Sequence, residues 1–282
     1  MPDLKDLSQD RRLRNHFNID KKRRTNHHRQ SAPHFHSYYE LYYMQEGSCR
    51  SWLTDTVYTL EKGEFILIPP GEYHLFSYDR QGMHDRFALY FDNERLTSAM
   101  GPFVDSFITL PAQAFHFQIL PDFEDELLLM LSRMLEYYRM DNDYGEFMLS
   151  HMVPVFLLSL TRHIRQVSEK SQVSSKDAAL QRAAQYISEH YREPLTLEDA
   201  AAVAGFTPAY FSRSFKALAG IGFRDYLTHM RLKEAVRLLR TTQLPIQEIS
   251  GRCGFASSNY FGDVFRSAYK VSPREYRRRD DV

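Results

Sequence analysis

Cysteine is almost missing from this chain: its 282 residues hold two, Cys49 and Cys253, separated by most of the sequence. Two distant thiols exclude a disulfide framework and a cysteine-based zinc site. Long apolar runs are missing too. The most apolar stretch, residues 148–160, is interrupted by Ser150, His151 and Pro154 and falls short of the roughly 20 residues that cross a bilayer. Residues 1–20 carry charge throughout and hold no apolar segment of the kind that directs secretion, so the expectation is a cytoplasmic chain with no membrane partner. Net charge is the third absence, since 36 Lys and Arg offset 36 Asp and Glu.

That zero conceals a polarity along the chain. Residues 178–282 contain 16 Lys/Arg against 11 Asp/Glu, a balance of +5, whereas residues 31–177 contain 11 against 21, a balance of −10. A polyanion is repelled by one part and attracted by the other, so any nucleic-acid contact is expected at the C-terminal end.

Turn signals and periodicity divide the sequence further. Residues 1–30 are polar and basic, with Lys21-Lys22-Arg23-Arg24 and His27-His28-Arg29, and read as a basic N-terminal arm. Residues 31–120 read as a β domain with strands at 40–45, 49–54, 57–60, 64–69, 74–78 and 86–91, punctuated by Gly47, Gly63, Pro69-Pro70-Gly71 and Gly82. Short Tyr-, Phe-, Ile- and Leu-rich strands at this spacing suit a small barrel or sandwich. Residues 121–168 hold two helices, 122–139 and 144–166, with Leu127, Leu131, Met134, Leu135 and Tyr138 at helical spacing in the first. This pair serves either as the barrel's cover or as a dimerisation segment. A Ser-, Gln- and Lys-containing linker at 169–177 precedes an all-α region, 178–282. The fold class is α+β multidomain.

One phrase in that last region occurs twice: Gly205-Phe206-Thr207-Pro208-Ala209-Tyr210-Phe211-Ser212-Arg213-Ser214-Phe215-Lys216, then Gly254-Phe255-Ala256-Ser257-Ser258-Asn259-Tyr260-Phe261-Gly262-Asp263-Val264-Phe265-Arg266. A helix-breaking Gly, a polar turn and an amphipathic helix make a helix-turn-helix. Thr196 with Asp199 three residues on starts the first motif. Gly205 and Gly254 lie 49 apart but Phe215 and Phe265 lie 50 apart, so the second turn is one residue longer. If Phe211, Ser214, Phe215 and Leu218 face inward, then Ala209, Ser212, Arg213 and Lys216 face outward; in the second copy Ser258, Asn259, Gly262, Asp263 and Arg266 do so. Between the copies, residues 223–240 read as one amphipathic helix on the order of 27 Å long. Such a rod suits two reading heads in successive major grooves, about 34 Å apart.

The double motif, the connecting Tyr226-Leu227, Arg231-Leu232, Ala235 and Leu238-Leu239, and the closing Ser272-Pro273-Arg274-Glu275-Tyr276-Arg277 resemble the AraC/XylS family of bacterial transcriptional regulators. The resemblance covers about the last hundred residues. It implies a cupin-like N-terminal sensor, a helical dimerisation segment, and two helix-turn-helix motifs on a linker helix. It also implies double-stranded DNA as partner, a homodimer, contact with RNA polymerase, and no enzymatic activity. Ala209, Ser212 and Arg213 fall on the family's base-reading positions in the first motif, and Ser258, Asn259, Gly262 and Asp263 in the second. Lys216 and Arg266 then hold phosphates, and Arg213 suits a guanine edge. The chain departs from the pattern at Asp263, where a cation or polar residue is usual, at Gly262, and at Lys270, which replaces the usual helix-ending Gly.

A second spaced pattern sits in the β domain: His34, His36, Glu40 and Gly47, then Gly63, Pro69, Gly71 and His74. It resembles the two cupin motifs, with Tyr78 where the second motif has Asn. Three imidazoles and a carboxylate suit a borderline divalent ion, although no cofactor is required by the regulator reading. Strand parity adds Tyr42, Phe76 and Arg86 to the barrel-facing set, and an aromatic wall with acids and one Arg suits a carbohydrate effector. Three readings of His34, His36, Glu40 and His74 therefore stand side by side: polar lining of an effector pocket, a metal centre, or structural residues. The metal reading itself divides into a metal-responsive regulator and a metal-dependent cupin enzyme.

Overall fold

A computed structural model describes residues 5–6, 17–24, 33–78, 83–92, 115–167 and 174–280. Its N-terminal half is built from strands, the central ones buried on both faces. They are β1 (Lys5–Asp6), β2 (Phe17–Arg24), β3 (His34–Phe35), β4 (Tyr39–Glu46), β5 (Cys49–Leu53), β6 (Thr56–Leu60), β7 (Glu64–Ile68), β8 (His74–Tyr78), β9 (His84–Phe91), β10 (His116–Ile119) and β11 (Ile164–Gln166). They form a five-stranded sheet, β1-β3-β8-β5-β6, and a six-stranded sheet, β11-β10-β7-β4-β9-β2.

Because side chains alternate along a strand, each sheet offers one face to the interior between them and one to the outside. Tyr42 and Met44 of β4 turn inward to meet Cys49, Leu53, Phe76 and Ala88. Tyr39, Leu41 and Tyr43 of the same strand turn outward and are covered by two helices, α1 (Glu124–Met140) and α2 (Asp143–Arg162). The helix pair thus covers the barrel. Its far side leaves Leu129, Tyr144, Phe147 and Val155 exposed, each by more than half.

Among the described residues, the outer face of the five-stranded sheet is covered from the C-terminal domain. Trp52, Val57, Tyr73 and Leu75 bury there against Ala183, Phe211, Phe215 and Tyr226 of the C-terminal domain. That domain comprises α3 (Ser175–His190), α4 (Leu197–Ala204), α5 (Pro208–Ala219), α6 (Phe223–Thr241), α7 (Ile246–Arg252), α8 (Ser258–Tyr269) and α9 (Pro273–Asp280). Tyr73 Oη donates to the Ala219 carbonyl at 2.8 Å, and Tyr226 Oη to the Thr54 carbonyl at 2.6 Å. Arg50 meets Asp177 at 2.6 Å and Lys233 meets Glu72 at 2.5 Å. Residues 223–240 do form one helix, extended by Thr241, and its Tyr226, Leu227, Met230, Ala235, Leu238 and Leu239 are buried as the periodicity requires.

Three expectations need correction. Residues 17–24 are not part of a basic arm: they pair with β9 over their whole length, from Phe17 with Phe91 to Arg24 with His84. Phe17 and Ile19 enter the apolar cluster under α1 and α2, Asp20 pairs with Arg86, and Arg23 with Asp85 at 2.9 Å. Of the other residues in 1–30, only 5–6 belong to the described part, where β1 pairs with β3. The second helix stops at Arg162 rather than 166, because residues 164–166 pair as β11 with β10. The linker ends earlier as well: Ser174 caps α3, so residues 175–177 are helical, while 168–173 lie outside the described residues.

His229 of α6 is fully buried between Phe35 and Tyr73, ring centroids 5.0 and 5.4 Å away. Burial, reinforced by the Lys233 ammonium and by nearby His74, lowers its pKa from 6.5 to about 3. Between those values the unfolded chain takes up a proton that the folded chain refuses. The contribution is therefore complete above pH 6.5 and lost as pH falls towards 3, by about 1.4 kcal/mol per pH unit. Urea melts at pH 7, 6 and 5 should show a shallower acid loss in His229→Leu than in wild type; parallel slopes would remove His229 from the account. The two turn glycines differ in their surroundings. Both have left-handed backbones, φ +71° at Gly205 and +81° at Gly254, but a Cβ at Gly205 meets open space whereas one at Gly254 lies 2.6 Å from the Arg192 carbonyl oxygen. Gly205→Ala should cost about 1–2 kcal/mol in denaturant unfolding and Gly254→Ala at least ~3.

Candidate functional site

Each helix-turn-helix is assembled by local signals. Thr196 and Asp199 form a reciprocal capping box at the start of α4, and Gly205 ends it in a left-handed conformation. Thr207 then caps α5, accepting from the Tyr210 amide, and Ser257 caps α8 the same way from the Tyr260 amide at 3.2 Å. Both caps satisfy amides at the N-terminal turn. Phe211, Ser214, Phe215 and, in the second copy, Phe261, Val264, Phe265 and Ala268 are buried.

Against this inward set the outward residues divide cleanly. Ala209, Arg213 and Lys216 are exposed on α5 and Ser212 is half-buried; Asn259, Asp263 and Arg266 are exposed on α8, with Ser258 and Gly262 half-buried. All nine lie on the solvent side of the two helices. Two further residues belong to the same surface. Tyr210 and Tyr260 occupy equivalent positions in the two copies and are 40% and 50% exposed, and the repeat itself, an aromatic on the outward face of both helices, was the signal for them. The copies end differently: α5 closes on Gly220 at φ 80°, but α8 closes on Lys270 at φ 62°, a conformation disfavoured for any residue with a Cβ.

The seven barrel candidates come together in the interior. Ligand atoms of His34, His36, Glu40 and His74 all lie within 4.8 Å of one another. His36 Nε2 is 3.1 Å and His74 Nε2 3.2 Å from the same oxygen, Glu40 Oε2. The opposite nitrogens face backbone carbonyls, His36 Nδ1 that of Tyr38 at 2.8 Å and His74 Nδ1 that of Glu72 at 2.9 Å. A carbonyl only accepts, so each Nδ1 carries a proton, and in a neutral ring each Nε2 presents a lone pair to the carboxylate. Burial lowers the His36 pKa.

Beside this cluster runs the aromatic wall. Tyr42 stacks on Phe76 at 4.0 Å, its hydroxyl meets that of Tyr78 at 2.5 Å, and the Arg86 guanidinium lies 5.3 Å from its ring centre. Arg86 is buried and pairs with Asp20. Sequence reasoning missed Asp20, because its strand had been read as arm. It missed Tyr78 and the buried Ser51 and His84 as well, although strand parity aims Ser51 inward with Cys49. A second pair in the six-stranded sheet, His116 Nε2 to Glu64 Oε2 at 2.8 Å, also escaped it.

A cleft of about 530 Å³ opens elsewhere, along the seam between the domains, where Thr54 and Pro70 of the barrel face Met230, Lys233 and Arg237 of α6. None of the candidate DNA-contacting, effector or metal residues named from sequence lines it.

Comparison with known proteins agrees with this division. An AraC-like ligand binding domain model matches residues 18–137 and a helix-turn-helix domain model matches residues 200–279. The transcriptional regulator YijO of Escherichia coli is 39% identical over 126 residues, 44% of this chain and 44% of that protein, so the chain matches less than half of that relative's length. The regulator YfiF of Bacillus subtilis is 26% identical over 257 residues, 90% of this chain and 80% of that one. Among solved structures, the C-terminal domain of the response regulator AraT from Geobacillus stearothermophilus is 41% identical, with a TM-score of 0.36, over 38% of this chain and 88% of that one. Matched in both halves by models of its characteristic domains, the chain belongs to the AraC family of helix-turn-helix regulators, with the ligand-binding domain on its N-terminal side.

Proposed function

We propose that the chain is a transcription factor whose barrel interior holds a small-molecule effector and whose α5 and α8 read an operator. The observation that carries the effector reading is the convergence of Arg86, Tyr42, Phe76 and Tyr78 with His34, His36, Glu40 and His74 on one buried face. Flat aromatic walls with charged and hydroxyl donors suit a polyhydroxylated metabolite, a sugar above all. Arg213 and Lys216 are exposed on α5, whereas α8 offers Gly262 and Asp263 beside Arg266, so the first motif is the stronger anchor and the second a tuned reader. Ala209, Ser212, Ser258 and Asn259 complete the base-facing set. The exposed Leu129, Tyr144, Phe147 and Val155 on α1 and α2 support a homodimer face. A protein that reads promoters works in the cytoplasm beside RNA polymerase, with no catalytic role for the barrel.

Arg213→Ala should weaken specific DNA binding by about 1–3 kcal/mol and relax base choice at one position. Quantitative footprinting on selected operator sequences measures both; an unchanged footprint and affinity would take Arg213 out of the reading set.

A second reading rests on the cluster's proton arithmetic. Two lone-pair nitrogens and a carboxylate oxygen directed at one point need a positive charge among them. A divalent cation on His34, His36, Glu40 and His74, whose ligand atoms lie within 4.8 Å of one another, meets that need, and the set of three nitrogens and one oxygen fits zinc or its neighbours. Such a metal makes this a metal-responsive regulator; the two helix-turn-helix motifs argue against its serving an enzyme. Thermal shift with ZnCl2 and with a sugar panel separates the alternatives. Zinc should raise the melting temperature of wild type and leave Glu40→Gln unmoved, while a sugar that stabilises both equally favours the effector reading alone.

A further inference from the structure

The three histidines of the cluster are sequence neighbours of the side chains that hold the C-terminal domain. In β3, His34 belongs to the cluster and Phe35 points the other way; His36 follows and returns to the cluster. Phe35 is 1% exposed and sits in the core of the second helix-turn-helix, with Leu232 and Leu239 of α6 and Phe261 and Phe265 of α8. It is the one barrel residue of that apolar cluster among the described residues. Its ring lies 5.0 Å from His229 and 5.6 Å from Tyr269.

The same alternation governs the strand opposite. His74 faces the cluster, while Tyr73 and Leu75 on either side of it bury against the first motif. Tyr73 donates to the Ala219 carbonyl at the end of α5. One residue further back, Glu72 accepts from His74 Nδ1 through its carbonyl and from Lys233 of α6 through its carboxylate. The two strands are tied to each other at a single register pair, His34 with His74. Whatever binds these histidines therefore grips both strands at that joint.

We propose that a divalent transition metal, zinc as the probe, closes the His34, His36, Glu40 and His74 cluster and thereby locks the second helix-turn-helix onto the barrel through Phe35. The inference rests on the metal reading given above and adds its consequence for the DNA-binding domain. Ligation joins His34 of β3 and His36 just after it to His74 of β8, so Phe35, held between two ligands, loses the freedom to leave its socket. Tyr73 and Leu75, flanking the third ligand, fix the first motif in the same way. Because coupling is reciprocal, undocking of the C-terminal domain must weaken the metal by the factor with which the metal strengthens docking. Empty and filled clusters then present α5 and α8 to DNA with different freedom, which is a regulatory difference made without moving a reading residue.

Peptide-resolved hydrogen exchange on the full chain, in ZnCl2 and in EDTA, tests this, with zinc content measured on each sample. Wild type should bind one zinc and exchange about tenfold more slowly, within the usual range of coupling factors, in α6 and α8 as well as in β3 and β8. Phe35→Leu, which keeps an apolar side chain in the socket, should bind zinc equally but lose most of the protection in α8; Phe35→Ala should lose it entirely. Zinc bound with protection confined to the barrel overturns the coupling and leaves the metal reading intact, as does equal α8 protection in wild type and both Phe35 variants. A wild type that binds no zinc overturns the metal reading and the coupling together.

Discussion

The outer face of the five-stranded sheet is the constraint from which the rest of the molecule follows. Trp52, Val57, Tyr73 and Leu75 make it apolar, and the domain's described helices, α1 and α2, lie on the opposite sheet. Full burial of such side chains is worth about 1.5–3 kcal/mol each, against about 0–1 kcal/mol for a surface ion pair. Apolar burial therefore drives the docking of the C-terminal domain. The polar contacts at the rim, Arg50 with Asp177 and Lys233 with Glu72, set its register. Without that docking the linker helix α6 would expose Tyr226 and His229, which the barrel now covers.

The duplicated motifs show how one local plan tolerates different terms. Both use a capping hydroxyl, a left-handed glycine and a buried aromatic pair, Phe211 with Phe215 and Phe261 with Phe265. The first copy is conformationally relaxed at both ends. The second has its turn glycine pressed against the Arg192 backbone and ends on Lys270 in a strained conformation, partly offset by a bond from Lys270 Nζ to the Ser267 carbonyl at 2.7 Å. That copy also receives Phe35 from the barrel. The less relaxed motif is thus the one whose core is completed by the N-terminal domain.

Much of this was legible in the sequence wherever a signal is local. His74 to Tyr78 emerged as a strand from its alternation and flanking turns, α6 from its apolar stripe, and the cap at Thr196 from its residue type and the acid three residues on. The cluster of His34, His36, Glu40 and His74 followed from spacing, since residues two apart on a strand share a face. What failed was non-local. The run Lys21 to Arg24 overwhelmed the alternation of Phe17 and Ile19, whose meaning appears only beside β9. Residues 164–166 continue an amphipathic pattern and become strand because β10 offers an edge. Parity shows that Trp52 and Tyr73 point outward; nothing near them in sequence says that a second domain covers them.

Trp52 has a further consequence. It is the sole tryptophan of the chain, it is 2% exposed, and it lies edge-on to Phe215 of α5 and Tyr226 of α6 at centroid distances of 6.1 and 6.4 Å. The tryptophan emission of the protein, excited selectively over its tyrosines, therefore comes from one ring at the junction of the barrel, α5 and α6. The molecule carries its own optical gauge of whether its two halves are joined, readable without label, operator or effector.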